Sequence, residues 1–312
     1  MLDLKLLQSF REVAVRRSFS AAADALSFTQ PAVSQHVARL ERLLETALFV
    51  RDARGVTLTP AGEALLAHAE EILAGVRRAE AQVRELAGTE RPVVRLGAFQ
   101  SAAAALTADA FRAVRAAHPG VELRLQAIEP APGVAQVATG DLDVALVLAS
   151  ELSPPPTAPG VELRHVFDDL MLVALPQGHP FAARPSIPLA DLRDEPWLLS
   201  DVGGTCGDSN IVLAACREAG FTPRIEFSSE DYTALQGMAA AGMGVALIPS
   251  LVTAMMRPDL VVRPIRGQAP RRRILAAVRD GDEHAVVETL VEALRAAARP
   301  LGTAGMRAAQ AA

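Results

Sequence analysis

The sequence predicts an N-terminal all-α winged helix-turn-helix with a long linker helix, followed by an α/β unit folded as two lobes. Three observations carry this prediction. Apolar residues recur at helical spacing as far as Leu44 and then alternate like a hairpin up to Leu58. Seven apolar positions between Leu65 and Leu86 follow a 4-3-4-3-4-3 spacing. From Val93 onward, short apolar runs alternate with helical stretches, the pattern of a parallel sheet. With 312 residues, half of them hydrophobic, the chain has enough apolar material for more than one core.

The first helix is expected over about 4–17, where Leu6, Phe10 and Val13 form one stripe beside Leu7 and Ala14. Ser20 is read as the cap of a short second helix, whose Ala21-Ala22-Ala23 run lets another helix approach closely. After the Ser27-Phe28 turn, Thr29 is a suitable N-cap for a third helix with Pro31 in its first turn, where a missing amide costs nothing. Val33, Val37, Leu40 and Leu44 make that helix's apolar face, and Gln30, Ser34, Gln35, Arg39 and Arg42 make the other. Short polar, amide and guanidinium groups without bulk are suited to base recognition in the major groove: Gln pairs bidentately with adenine and Arg with guanine. An ordinary solvated face shows the same residue types, so the segment after the helix decides between the two. Leu48-Phe49 packs, Arg51 to Gly55 turns, and Val56-Thr57-Leu58 alternates as a second strand. This is a wing, and its Arg54-Gly55 tip suits a narrow minor groove of negative potential.

Taken together, Ser18-Phe19-Ser20-Ala21-Ala22-Ala23, Leu26, Gln30-Pro31-Ala32-Val33-Ser34-Gln35, Arg39-Leu40-Glu41, Leu48-Phe49-Val50-Arg51 and Leu58-Thr59-Pro60-Ala61-Gly62 resemble the N-terminal domain of LysR-type transcriptional regulators in order and spacing. The resemblance implies that Gln30, Pro31, Ser34 and Gln35 face bases, with Arg51 and Arg54 at the backbone and minor groove. One departure is Glu45, where that family usually has Gly.

Residues 1–59 are thus assigned to DNA binding and 60–88 to one helix, ended by Gly88-Thr89. The regular seam of Leu65, Ile72, Val76, Val83 and Leu86, with Ala69 and Ala79 between them, calls for a partner helix. A second copy of the chain fits, because a two-fold dimer reads two related half-sites. The resemblance agrees: LysR-type regulators dimerise through this helix, and many pair again into tetramers.

Residues 89–302 are assigned to the two lobes, about 92–166 with 267–302 and about 167–266, and 303–312 to a flexible tail. Strands are expected near 93–99, 121–128, 143–148, 162–166, 170–175, 197–199, 224–227, 245–248, 261–264 and 274–278, and a closing helix over 284–298. Two lobes joined by two crossings make a cleft suited to small molecules, and LysR-type effector domains are similar to periplasmic binding proteins. Gln100, Ser101, Thr205, Cys206 and Phe227, at strand ends and helix starts, are the candidate effector contacts. A small anion is the favoured effector, because helix N-termini face the cleft.

Composition limits the alternatives. The net charge is -5, but residues 1–60 carry eight Lys or Arg against six Asp or Glu, so any DNA contact is local to that end. Two cysteines are too few for a disulfide framework, and Met1 to Lys5 lacks the order of an export signal, so a cytoplasmic protein is expected. The uncharged stretch from Tyr232 to Met256 is broken by Gly237, Gly242, Gly244 and Pro249 and reads as buried α/β structure. Cys206 and Cys216 raise the alternative of a redox-responsive regulator, since they lie where the peroxide-sensing members of the family carry reactive thiols. Gly207-Asp208-Ser209 resembles a hydrolase nucleophile box, but Gly281 stands where its partner Asp is needed, three residues before His284, so no enzyme is expected. No cofactor and no metal are expected. Expected partners are double-stranded operator DNA, a small-molecule effector and a second copy of the chain, with RNA polymerase a further candidate and no membrane. A small-molecule binding protein with a vestigial DNA domain is the different-class alternative, and the intact base-facing residues argue against it.

Overall fold

A computed structural model of the protein describes residues 2–52, 55–87, 91–200, 207–282 and 284–310. Residues 1–91 form one compact unit, joined by 139–141, and the remainder forms a second.

In the first unit, α1 (Leu4–Arg16), α2 (Phe19–Leu26) and α3 (Gln30–Leu44) are followed by the hairpin β1 (Phe49–Asp52) and β2 (Gly55–Leu58), then by α4 (Pro60–Leu86). Phe10, Phe19 and Phe49 meet at its centre, with ring centroids 5.3 and 5.9 Å apart, among buried Leu6, Leu7, Val33, Val37, Leu40 and Leu48. Thr29 caps α3 as expected, accepting from the Ala32 amide. The cap of α2 is Ser18 instead of Ser20: Ser18 is extended and its hydroxyl accepts from the Ala21 amide, which leaves Ser20 inside the first turn.

All three helices end in the left-handed region on residues that are not glycine, Arg17, Ser27 and Glu45. Glu45 has φ 52° and ψ 29°, a conformation that glycine adopts without a Cβ penalty. Glu45→Gly is therefore expected to stabilise this unit by about 0.5–1 kcal/mol net of glycine's entropy cost, read as a higher urea midpoint. A lower midpoint would mean that the Glu45 side chain contributes more than its strain costs.

The apolar seam of α4 is buried at its start and exposed further along. Leu65, Ala69 and Leu73 pack into the unit's own core, with Leu65 only half-buried there. Further along, Ile72 and Val83 are 40% and 65% exposed and Val76 is half-buried. The side chain of Leu86 lies outside the described residues.

The second unit runs β3 (Val93–Ala98), α5 (Gln100–Ala117), β4 (Glu122–Ala127), α6 (Pro130–Thr139), β5 (Val144–Ala149), β6 (Val161–Pro176), β7 (Pro196–Leu199), α7 (Gly207–Glu218), β8 (Arg224–Ser228), α8 (Tyr232–Ala240), β9 (Val245–Pro249), β10 (Leu260–Pro264), β11 (Arg271–Arg279) and α9 (Ala285–Gln310). Its strands are ordered β4-β3-β5-β11-β6-β9-β7-β8, with β10 also on β6. The first part of β6 pairs with β11 in one lobe, and the second part pairs with β9 and β10 in the other. The two strands expected near 162–166 and 170–175 are thus one strand of 16 residues. Asp169, between the two expected strands, is fully buried against a cation, and the strand continues through it. Each lobe keeps its own core: Leu96, Leu106, Leu146, Ile274 and Leu290 in one, Met171, Leu192, Trp197 and Leu247 in the other. Residues 303–310, expected as a flexible tail, continue α9, consistent with their alanine-rich sequence.

Candidate nucleic-acid interface and effector cleft

The polar face of α3 is presented as its sequence requires. Gln30, Pro31, Gln35 and Arg39 are exposed and Ser34 is half-buried, while Val33, Val37 and Leu40 on the opposite face are buried. The Gln30 amide donates to Ser34 Oγ at 3.0 Å, which orders two groups of this polar face relative to each other. The helix is seated on α1 through His36, whose Nδ1 lies 2.7 Å from buried Ser9 Oγ. Glu41, to which the sequence pattern assigns no role, holds the wing: its Oε1 accepts from the Leu48 amide at 2.8 Å and the Phe49 amide at 3.4 Å. Helix and hairpin are thereby positioned together. Arg51 stands in β1 opposite Val56, with its side chain outside the described residues, and Arg54 lies outside them altogether.

In the second unit, the feature that sequence reasoning missed is a buried charge cluster around Arg272, 1% exposed, on β11. Its Nε donates to Asp169 Oδ2 at 2.9 Å, Nη1 to Asp208 Oδ2 at 2.7 Å and Nη2 to Ser101 Oγ at 2.9 Å. Its guanidinium carbon stands 5.4 Å from the centre of the Phe99 ring. Asp169 Oδ1 is taken by the Ser250 hydroxyl and the Leu251 amide, and Tyr232 donates its hydroxyl to Asp208 Oδ2 at 2.7 Å. Burial pushes the Asp169 carboxyl up against the opposing pull of Arg272. The cluster ties the start of α5 in one lobe, the strand shared by both lobes, and the starts of α7 and α8 in the other. A local signal existed: period-two alternation in Arg271-Arg272-Arg273 puts Arg272 on the face of buried Ile274, opposite its exposed neighbours.

Of the expected effector contacts, Ser101 is buried in this cluster. Gln100 reaches across the lobes, its amide donating to Asp231 Oδ1 at 3.2 Å. Phe227 instead packs, half-buried, against the core of Leu198, Tyr232 and Ile248. Thr205 and Cys206 lie outside the described residues. None of the described three lines the large cavity between the lobes. That cavity, of about 540 Å³, has Leu189, Ile211, Ala214, Ala215 and Ile265 among its apolar walls, and Ser150 to Leu152, Glu218, Arg266 and Arg271 also line it. Pockets of this size hold small molecules.

Cys216 is fully buried in α7, and burial pushes its thiol up to about 12, so it is protonated and inert at neutral pH. Among the described residues, no group of three or more His, Cys, Asp or Glu is placed to hold a metal ion, and no helix is long and apolar enough to cross a membrane.

Comparison with known proteins agrees with this geometry. Residues 4–63 match the family described as bacterial regulatory helix-turn-helix protein, lysR family, and residues 87–299 match the LysR substrate binding domain. The chain is 31% identical over 275 residues to the transcriptional dual regulator GltC of Bacillus subtilis, covering 88% of this chain and 89% of GltC. It is 32% identical over 304 residues to a probable hydrogen peroxide-inducible genes activator of Streptomyces viridosporus, covering 96% and 95% of the two chains. Among solved structures, a full-length OxyR variant from Pseudomonas aeruginosa superposes with a TM-score of 0.72 at 26% identity, covering 96% of this chain and 97% of that one. The exposed polar face of α3 with its wing, the two-lobed α/β domain and these matches over most of the chain agree, and the protein belongs to the LysR family of transcriptional regulators.

Proposed function

We propose that the protein binds a two-fold-related operator as a dimer or tetramer, in the cytoplasm and without catalytic activity, and that a small molecule held between its lobes changes how it holds DNA. The observation that carries the first part is the exposed face of Gln30, Pro31, Gln35 and Arg39 beside a hairpin anchored through Glu41. Gln30, Ser34 and Gln35 read base edges, Arg39 adds a guanidinium, and Arg51 and Arg54 serve the phosphate backbone and minor groove. Exposed Ile72 and Val83 support pairing through α4. The cavity of about 540 Å³ supports the second part. Its occupant bears on both lobes at once, and only a ligand with different affinity for two arrangements shifts between them. Inert Cys216 disfavours a thiol switch through that residue.

Selection of genomic fragments by the purified protein, followed by footprinting, tests this reading, and protected half-sites related by two-fold symmetry are expected. On such a site, Arg39→Ala is expected to weaken binding by about 1–3 kcal/mol if it contacts a base, and to lower the salt slope by about one if it contacts a phosphate. An unchanged titration removes Arg39 from the interface.

A further inference from the structure

We infer that the effector is a zwitterion with an apolar body, the chemistry of a large apolar α-amino acid, seated in the cavity between the lobes with its body on α7 and its two charges at the mouth; this rests on the effector role proposed above. The floor of that cavity is one face of α7. Ile211, Ala214, Ala215 and Glu218 recur at positions i, i+3, i+4 and i+7, so the first three turn an apolar surface toward the opening and Glu218 ends it. Ile211 and Ala215 are buried, and Ile265 closes the same floor. The two alanines leave room that larger side chains would take, which makes this surface the wall of a cavity instead of part of the packed core.

Each lobe adds one group of each sign to the lining. In the first lobe, Arg271 opens β11 and Glu151 follows β5, and these strands pair antiparallel with Arg273 opposite Ala149. In the second, Glu218 stands at the end of α7, and Arg266 follows β10, its amide donating to Ile187 O at 2.9 Å and its Nε to Ser186 Oγ at 3.5 Å. All four are exposed, and among the described residues none of them forms an ion pair. Two guanidinium groups and two carboxylates thus line an apolar floor with their charges unmatched by one another.

This balance selects the ligand. A simple anion meets two arginines but also two glutamates, and a simple cation meets the reverse, whereas a zwitterion offers a carboxylate to the first pair and an ammonium group to the second. Its body then has the apolar floor to cover. The small anion expected at the starts of α5 and α7 finds those places taken, since Asp208 stands in the first turn of α7 and Ser101 accepts from Arg272. Arg266 and Arg271 also flank the segment that crosses from the second lobe to the first. A ligand held by both therefore grips that crossing, which is where a change in lobe arrangement is felt.

The test uses the full-length protein without DNA, its melting followed by the fluorescence of Trp197, which lies in the same core as Ile211 and Ala215. Four probes at equal concentration divide the chemistry: L-phenylalanine, 3-phenylpropanoate without the ammonium group, 2-phenylethylamine without the carboxylate, and glycine with both charges but no body. Phenylalanine is expected to raise the melting midpoint by about 3 °C or more, and each of the others by less than about 1 °C. The double variant Arg266→Gln, Arg271→Gln, with both changes on exposed side chains, is expected to fold as the parent does and to lose the response to phenylalanine. Ala214→Leu is expected to fill the floor and abolish the response without touching a charge. An equal or larger rise with 3-phenylpropanoate or 2-phenylethylamine overturns the zwitterion, and an equal rise with glycine overturns the apolar floor. No response to any probe, or a phenylalanine response kept in either variant, overturns the site. The effector role is read separately, by footprinting the operator with and without phenylalanine. A melting response with an unchanged footprint sinks that role and leaves the site standing, whereas four silent probes and a footprint altered by another small molecule do the reverse.

Discussion

Arg272→Ala is expected to destabilise the α/β unit by about 3–5 kcal/mol, the cost of leaving a buried ion-pair cluster without its cation. The change removes three hydrogen bonds and exposes Asp169 and Asp208 to each other inside the protein. Ser101, Asp169 and Asp208 lose the group they share, so the lobes also lose their common tie. The pH dependence has a definite sign. Burial already holds the Asp169 carboxyl above its ordinary range, and without Arg272 it rises further. A carboxyl whose folded value lies above its unfolded one supports folding below the ordinary value of 3.8 and loses that contribution as pH rises through the folded value. The deficit of Arg272→Ala is therefore larger at pH 8 than at pH 5. Trp197, the one tryptophan in the sequence, is fully buried in the second lobe and reports urea unfolding by fluorescence. A loss below about 1 kcal/mol, the size of an ordinary surface ion pair, would show that the cluster does not hold the lobes. Arg272→Met, which keeps volume without charge, separates packing from electrostatics, and replacing Asp169 and Asp208 as well is expected to recover much of the loss.

This cluster also shows why the two halves of the chain differ in legibility. The face of α3 is written in one 15-residue segment, so alternation of Val33, Val37 and Leu40 with Gln30, Gln35 and Arg39 is enough to identify it. The partners of Arg272 lie 64, 103 and 171 positions away, and no local pattern joins Asp208, Asp169 and Ser101 to it. Helix starts single out Ser101, but its hydroxyl accepts from Arg272, a partner that no local pattern indicates. Asp169 falls between the two expected strands, and only the distant guanidinium makes it a strand residue. The difference between Ser18 and Ser20 is smaller in kind: both can cap, and the extended backbone at Ser18 decides. For α4, heptad spacing locates the apolar seam without showing that its first part serves the chain's own core.

Gly62→Ala is expected to destabilise the N-terminal unit by about 1–3 kcal/mol, the usual cost of overpacking, and to weaken operator binding with it. By helix propensity alone, the substitution gains about 1 kcal/mol, because Gly62 lies in the first turn of α4. Space decides against it. A Cβ at this position would stand 2.2 Å from the Leu48 carbonyl oxygen and 2.9 Å from a Leu58 methyl, and the first of these is backbone that cannot rotate away. The same carbonyl accepts from the Thr59 amide at 2.9 Å, while the Thr59 hydroxyl donates to Ala47 O at 2.7 Å and accepts from the Gly62 amide at 3.0 Å. The start of α4 is therefore fastened to the segment entering β1. Moving one moves the other, and Leu48 is also the residue whose amide Glu41 holds from α3. The added methyl group thus displaces the hairpin relative to α3, and, on the proposed DNA-binding role of that helix, affinity falls more than the stability of the folded fraction accounts for. Operator titration below the melting transition, alongside urea unfolding, separates these effects. Wild-type affinity in a destabilised variant would mean that the hairpin makes no contact that matters, and wild-type stability would mean that α4 slides along β1 without cost.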